Sequence, residues 1–331
     1  MAKMKSKSLL RDKRHLKLGV SDPAYGDNSI RTSKYTLYNF FIINLFEQFM
    51  KIANLYFLIL SMLQIVPQIS ISNSQPTILI PLLFVVVVSM MKDFIEDRKR
   101  SKSDNEENNS PVLVFRNGQF VNDKWANIHS GEFVKVLQDQ FMPADLLLLY
   151  STSKKPECFV ETKSLDGETN LKTKYVIQKF REYIQTESQI SSLEAADFHF
   201  EAPNPFIYKF SGSVTYRDTQ IGIEANNFLL RNSKLKNTAF IIGVVSFTGH
   251  FTKIMMNSIK SKKKLSDIEK KVSWLMFSLF LLLVVLVLTQ STLYTIWYDL
   301  NIDYFGYSLM KRENLVGVFF INLGNWLLIF G

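Results

Sequence analysis

Apolar positions fall into four blocks, with one long polar insert between the second and the third. The first block is uncharged from Ile52 to Ile71 and predicts a membrane span over about residues 50–71. At about 1.5 Å per residue, ~20 residues cross a hydrocarbon core of ~30 Å. The second block centres on Phe84-Val85-Val86-Val87-Val88 and is stopped by Lys92, which puts its span over about 75–91. Only the short stretch Pro67–Pro76 separates the two, so residues 36–91 read as a transmembrane helical hairpin. The third block is uncharged from Val272 to Tyr298, longer than a globular core helix, and predicts a third span over 272–298. The fourth starts near Asn314 and is read over 314–331 as the beginning of a fourth span, cut short at Gly331. The first block starts too late, and lacks the small-residue cleavage pattern, to be a secretory signal peptide.

Charge orients these spans. Residues 1–35 carry nine Lys and Arg, from Lys3 to Lys34. The insert 92–271 opens on Lys92, Arg98, Lys99, Arg100 and Lys102 and closes on Lys260, Lys262, Lys263, Lys264, Lys270 and Lys271. Pro67–Pro76 carries none, and 299–313 carries Lys311 and Arg312. The positive-inside rule therefore predicts a cytosolic basic segment 1–35, a cytosolic insert 92–271 and a non-cytosolic loop 299–313. The net charge of +9 beside membrane spans points to orientation and anionic-lipid contact rather than to nucleic acid. Cys158 is the only cysteine, which excludes an internal disulfide and a cysteine zinc cluster. Four scattered histidines do not make a metal site either, and none is expected in this chain.

Within the insert the period changes. Lys92, Glu96 and Arg100 stand four apart, so the second helix is expected to run on beyond the membrane until the polar stretch Asp104–Ser110. Strands are predicted at Pro111–Gly118 (running into a turn), Phe120–Val121, Glu132–Val136, Asp145–Tyr150, Phe206–Phe210, Gln220–Ile223 and Ala239–Val245. Turn signals fall at Asn117-Gly118, Ser130-Gly131 and Asp166-Gly167, and the polar residues 175–198 have room for a helix, which Pro203 and Pro205 would break. The expected fold is thus α-helical membrane spans plus a mainly β cytosolic domain of about 160 residues on helical stalks.

An Asp-Gly pair by itself is an ordinary turn. Here it stands in Ser164-Leu165-Asp166-Gly167-Glu168-Thr169-Asn170-Leu171-Lys172. Met142-Pro143-Ala144-Asp145 precedes it; Glu201-Ala202-Pro203-Asn204, Gly243–His250 and Thr252-Lys253 follow. The first span brings Asn44-Leu-Phe-Glu-Gln-Phe49, and the second is followed by Met91-Lys92-Asp93 with Glu96-Asp97. In this order the pieces, over about residues 30–325, resemble the N-terminal portion of the phospholipid-translocating P-type ATPases, the lipid flippases of the P4 branch. Cation-pumping relatives typically carry Thr-Gly-Glu-Ser in place of Asp-Gly-Glu-Thr.

The resemblance implies an actuator domain in 92–271 whose loop is presented to an aspartyl phosphate. Glu168 would activate the attacking water, Gly167 would let the backbone come close, and Asp166 and Thr169 would hold the turn. It implies phospholipid as the transported partner and, as in the family, a two-span accessory subunit in a plasma membrane or endomembrane. Gln64-Ile65-Val66-Pro67 matches a Gln-x-Val-Pro pattern of the lipid path, placing Gln64 and Ile65 there; a plain interfacial polar role for Gln64 stays open. ATP and Mg2+ would serve the full-length family, with no nucleotide or metal bound by this chain. The sequence also departs from the family. Ile329 stands where its fourth span has a proline, and Asn232 where it has a glycine in Arg-Gly-x-x-Leu-Arg-Asn-Thr. Neither Asp-Lys-Thr-Gly-Thr nor a Walker A pattern occurs in the 331 residues. Two readings follow: the N-terminal part of a flippase, inactive by itself, or a non-enzymatic membrane protein using the actuator domain as a binding or regulatory module.

Overall fold

The computed structural model describes residues 13–36, 38–67, 74–217, 219–258, 267–301 and 315–330. They form two compact units, one from the N-terminal segment to Thr32 with Arg100–Lys262, the other from Ser33–Lys99 with Lys263–Gly331. The basic runs at Lys3–Arg11, Lys260–Lys264 and Lys311-Arg312 lie outside the described residues.

The first unit is built of strands: β1 (Arg14–Lys17), β2 (Asp22–Asp27), β3 (Pro111–Arg116), β4 (Gln119–Lys124), β5 (His129–Ser130), β6 (Phe133–Leu137), β7 (Asp145–Ser151) and β8 (Glu157–Glu161). There follow β9 (Leu171–Tyr175), β10 (Asp197–Phe200), β11 (Ser211–Tyr216), β12 (Thr219–Glu224), β13 (Phe228–Leu229), β14 (Lys234–Lys236) and β15 (Phe240–Phe247). The central sheet has the order β13-β7-β15-β6-β3-β4; a four-stranded sheet β1-β10-β11-β12 and a three-stranded sheet β14-β8-β9 complete the layers, with β2 and β5 as a pair. Leu147, Leu149, Ile242 and Val244 of the central sheet share a core with Leu16, Phe198, Phe200 and Val214 of the four-stranded sheet. Leu146, Leu148, Ile241 and Val245 share another with Cys158, Val160 and Leu235 of the three-stranded sheet. Side chains alternate along a strand, so a strand covered on both faces must be apolar at every position. This is why Leu146-Leu147-Leu148-Leu149 shows no alternation.

Several expectations need correction. Phe206–Phe210 is not a strand. Asn204 Oδ1 accepts the Phe206 N–H at 3.1 Å, and the Phe206 carbonyl accepts from Lys209, so the segment curls while Phe210 is drawn into the core. The helix expected within residues 175–198 is present as Gln178–Tyr183, followed by the 3-10 stretch Glu187–Ala195 before β10 begins. The N-terminal segment supplies β1 and β2, neither of which was read from the sequence; nor were β8, β9 and β11. The stalk helix runs over Leu79–Asn108, through polar residues expected to end it. Those residues have partners: Asp104 accepts the N–H and hydroxyl of Thr32, and Asn108 exchanges two hydrogen bonds with the Ile30 backbone.

In the second unit the helices Phe40–Phe49 and Ile52–Ile65 form a pair bent by 86°. Asn44 and Gln48 both donate to Asp93, at 2.9 and 3.0 Å, and Lys34 pairs with Glu47. Two of the sequence pieces singled out above thus meet here. The helix Asp267–Asn301 contains the stretch Phe277–Asn301, long and apolar enough to cross a membrane. Among the described residues it is the one such helix, or one of two if the bent pair counts as a single span. Leu315–Phe330 is a shorter apolar helix.

Candidate functional site

β8 ends on Glu161, and a single helical turn, Lys163–Asp166, follows. Gly167 leaves that turn at φ +77°, in the left-handed region where a Cβ is costly. Its amide donates back to the Lys163 carbonyl. A Cβ at Gly167 would meet no atom within 4 Å, so it is the backbone angle, on an open face, that calls for glycine. Asp166 is the centre of the loop. Its carboxylate accepts the Thr162 hydroxyl at 3.0 Å, the Glu168 N–H at 3.0 Å and the Lys172 ammonium at 2.5 Å. Partial burial pushes the Asp166 carboxyl up, but these three donors outweigh it and hold it below the ordinary carboxylate value. The same ion pair raises Lys172. Glu168 is exposed, and Lys172 Nζ stands 3.0 Å from its Oε2. Thr169 is exposed and makes no side-chain hydrogen bond among the described residues; Thr162 does the work expected of it. Behind the loop lies a cavity of about 430 Å3 lined in part by Thr162, Asp166, Lys172, Lys174 and Tyr208.

Three other sequence pieces meet in the same unit. Asp145 is fully buried and accepts the backbone N–H groups of Arg231 and Lys253, each at 2.8 Å. Burial pushes its carboxyl up to about 6, against the pull of those two donors. Lys253, also fully buried, donates to Glu201 Oε1 at 2.6 Å and Asn204 Oδ1 at 2.8 Å. Arg231 donates to Glu107 and to Asn28 Oδ1, and Asn28 donates to the carbonyls of Trp125 and Pro143. Asn232 takes φ +62°, the conformation its glycine counterpart would favour, and its carbonyl accepts the Ser164 hydroxyl at 2.8 Å. Asparagine tolerates that region better than other side chains, so the turn survives the substitution. The buried roles of Arg231 and Asn28 were not read from the sequence. Nor was Arg14, whose guanidinium lies over the rings of Tyr25, Phe247 and Phe251 with no hydrogen-bond partner among the described residues. Burial lowers it to about 10.

Gln64 and Ile65 lie in the other unit. Gln64 is buried, donates to Thr77 Oγ1 and accepts the Ile78 N–H, both at 3.2 Å; Ile65 is exposed. Among the described residues no cluster of His, Cys, Asp and Glu fits a metal ion, so no step is assigned to Mg2+ here.

Residues 10–78 match the family described as Phospholipid-translocating ATPase N-terminal. Phospholipid-transporting ATPase IC of Xenopus tropicalis is 38% identical over 285 residues, 86% of this chain. The chain belongs to the phospholipid-transporting ATPase family. Phospholipid-transporting ATPase DRS2 of Saccharomyces cerevisiae is 36% identical over 92% of the chain, and probable phospholipid-transporting ATPase 11 of Arabidopsis thaliana 41% over 77%. The chain spans 23%, 22% and 21% of the length of these three relatives. The family match supports an N-terminal portion, and the β unit is consistent with an actuator-like domain.

Proposed function

We propose that this chain is the actuator-bearing N-terminal part of an ATP-driven phospholipid translocase. Glu168 promotes hydrolysis of an aspartyl phosphate carried by a phosphorylation domain outside these 331 residues. The observation that carries this reading is the Asp166–Gly167 turn, tied down by Asp166 so that Glu168 stands on an open face. In the step proposed, a water oxygen bonds to phosphorus and the phosphorus–oxygen bond to the aspartyl carboxylate breaks. The water's proton passes to the Glu168 carboxylate, leaving aspartate and inorganic phosphate. The transported partner is a phospholipid, with Gln64 and Ile65 beside its path and a two-span accessory subunit as companion. ATP and Mg2+ would be held by the nucleotide and phosphorylation domains. The Lys and Arg asymmetry supports a multi-pass membrane protein whose N-terminus and β unit are cytosolic.

The test is Glu168→Gln in a full-length protein carrying this sequence. The amide keeps the loop's shape and loses the proton acceptor, which typically costs roughly 10²–10⁴-fold in rate. Phosphorylation by ATP is expected to persist while decay of the phosphoenzyme slows and the lipid substrate no longer accelerates it. Wild-type decay in that variant would reject the assignment.

A further inference from the structure

Lys172 carries a second role in this loop, one that rests on the reading of Glu168 just given. Its ammonium touches Asp166 Oδ2 at 2.5 Å and Glu168 Oε2 at 3.0 Å, and lies 5.4 Å from the centre of the Tyr208 ring. The two carboxylates differ in freedom. The Asp166 side chain is 11% exposed and fixed by Thr162 and the Glu168 amide, whereas that of Glu168 is 58% exposed. Among the described residues no other side-chain contact of Glu168 is seen. The ammonium therefore connects a fixed anion to a free one. Such an exposed ion pair adds little to stability, so its value lies in orientation.

We propose that Lys172 is the positioning residue of this loop: anchored on Asp166 and bracketed by Tyr208, it holds the Glu168 carboxylate over the open face and offsets its charge as it nears the phosphoryl anion. Two anions brought together repel, and a fixed cation between them removes that barrier. The cation also narrows the set of Glu168 rotamers to those from which the water's proton can be taken. Lys172 itself transfers no proton and forms no bond to phosphorus. The Tyr208 hydroxyl donates to Asp166 Oδ2 at 3.4 Å, and buried Lys253 holds Glu201 and Asn204, a few residues before Tyr208 in the chain.

The experiment is a double-mutant cycle on phosphoenzyme decay in a full-length protein carrying this sequence, with ATP-dependent phosphorylation measured alongside. Misplacing a catalytic group costs up to about 10²-fold, so Lys172→Met is expected to slow decay by roughly 10- to 100-fold with phosphorylation intact. Lys172→Arg, which keeps a cation able to bridge two carboxylates, should stay within about threefold of wild type. A residue acting through Glu168 has nothing left to act on once Glu168 is gone. Lys172→Met combined with Glu168→Gln should therefore decay no more slowly than Glu168→Gln alone. Wild-type decay in Lys172→Met, or effects that multiply in the double variant, would overturn the proposal while leaving the Glu168 assignment standing. Wild-type decay in Glu168→Gln would instead remove the assignment itself. Should Lys172→Met accept no phosphate, Lys172→Gln replaces it with the same expectations, and loss of phosphorylation in both would count against a positioning role.

Discussion

Among the described residues no side-chain counter-ion contacts Asp145, which is closed over by the core and satisfied by two backbone amides. An amide in its place can accept one of those N–H groups but turns its own NH2 toward the other. Asp145→Asn should therefore destabilise the β unit by about 1–3 kcal/mol, the cost of one unmet buried donor. The pH dependence runs opposite to that of an ordinary paired aspartate. Burial raises the folded carboxyl to about 6 from an ordinary 3.8, so the native state holds the proton more tightly than the unfolded chain does. Stability then falls as pH rises from about 4 to about 6, by on the order of 1–3 kcal/mol, and levels off above that. Denaturation midpoints of wild type and Asp145→Asn at pH 4.5 and 7.5 measure this: the wild-type advantage should shrink at the higher pH. An advantage that grows would show the two amide donors outweighing burial. Asp145, Lys253, Glu201 and Asn204 were all legible as motif residues, because their order along the chain is distinctive. Their meeting was not, since the pairs lie 108, 52 and 49 residues apart and only the folded sheets bring them together. Arg14 left a weaker signal: it shares a strand face with Leu16, two residues on, which a period-two reading of Arg14–Lys17 contains.

At the scale of elements, β15 is the strand on which the β unit depends. It pairs antiparallel with β6 on one side and β7 on the other, and the β7 pairing shifts register between Ile242 and Gly243. The shift brings Gly243 so near β7 that an added Cβ would lie 2.9 Å from the Leu147 carbonyl and 3.1 Å from Leu146 Cβ. A strand glycine of this kind marks close backbone approach. Gly243→Ala should destabilise the unit by about 1–3 kcal/mol, as overpacking does, read as a lower urea midpoint with an unchanged slope. Unaltered stability would mean that β7 yields at no cost. The strands legible in the sequence are β3, β4, β6, β7, β12 and β15; β7 and β15 carry long apolar runs, and β12 buries Ile221 and Ile223 by alternation. Those missed are polar on one face or short. In β9, Leu171-Lys-Thr-Lys-Tyr175 has no buried residue, and β8 alternates Glu157-Cys-Phe-Val-Glu161 with only Cys158 and Val160 inside. Phe206–Phe210 shows the converse error. Its apolar residues imitate a strand, but Asn204 and the Phe206 carbonyl turn the backbone before a ladder can form.

For the whole molecule the open question is which side of the membrane the β unit occupies, and the structure decides how to ask it. Cys158, the native thiol, cannot serve as the probe. It is fully buried between the central and three-stranded sheets, and burial pushes the thiol up to about 12, so almost no thiolate is present at neutral pH. Asn108 is also unsuitable, since both ends of its amide are engaged with the Ile30 backbone. Lys102, on the stalk helix, has a side chain 80% exposed and, among the described residues, only an i,i+4 ion pair with Glu106 at 3.8 Å, which contributes little. Lys102→Cys therefore places a reactive thiol on the surface without disturbing packing, while Cys158 stays silent as an internal control. If the Lys and Arg asymmetry sets the orientation, an impermeant maleimide should leave Lys102→Cys unlabelled in intact cells and label it fully after the plasma membrane is opened. The wild-type chain should stay unlabelled in both conditions until it is denatured. Labelling of Lys102→Cys from outside intact cells would put the β unit on the wrong face to meet an ATP-derived phosphate. It would remove the cytosolic half of the proposed function, whatever the loop around Glu168 can do.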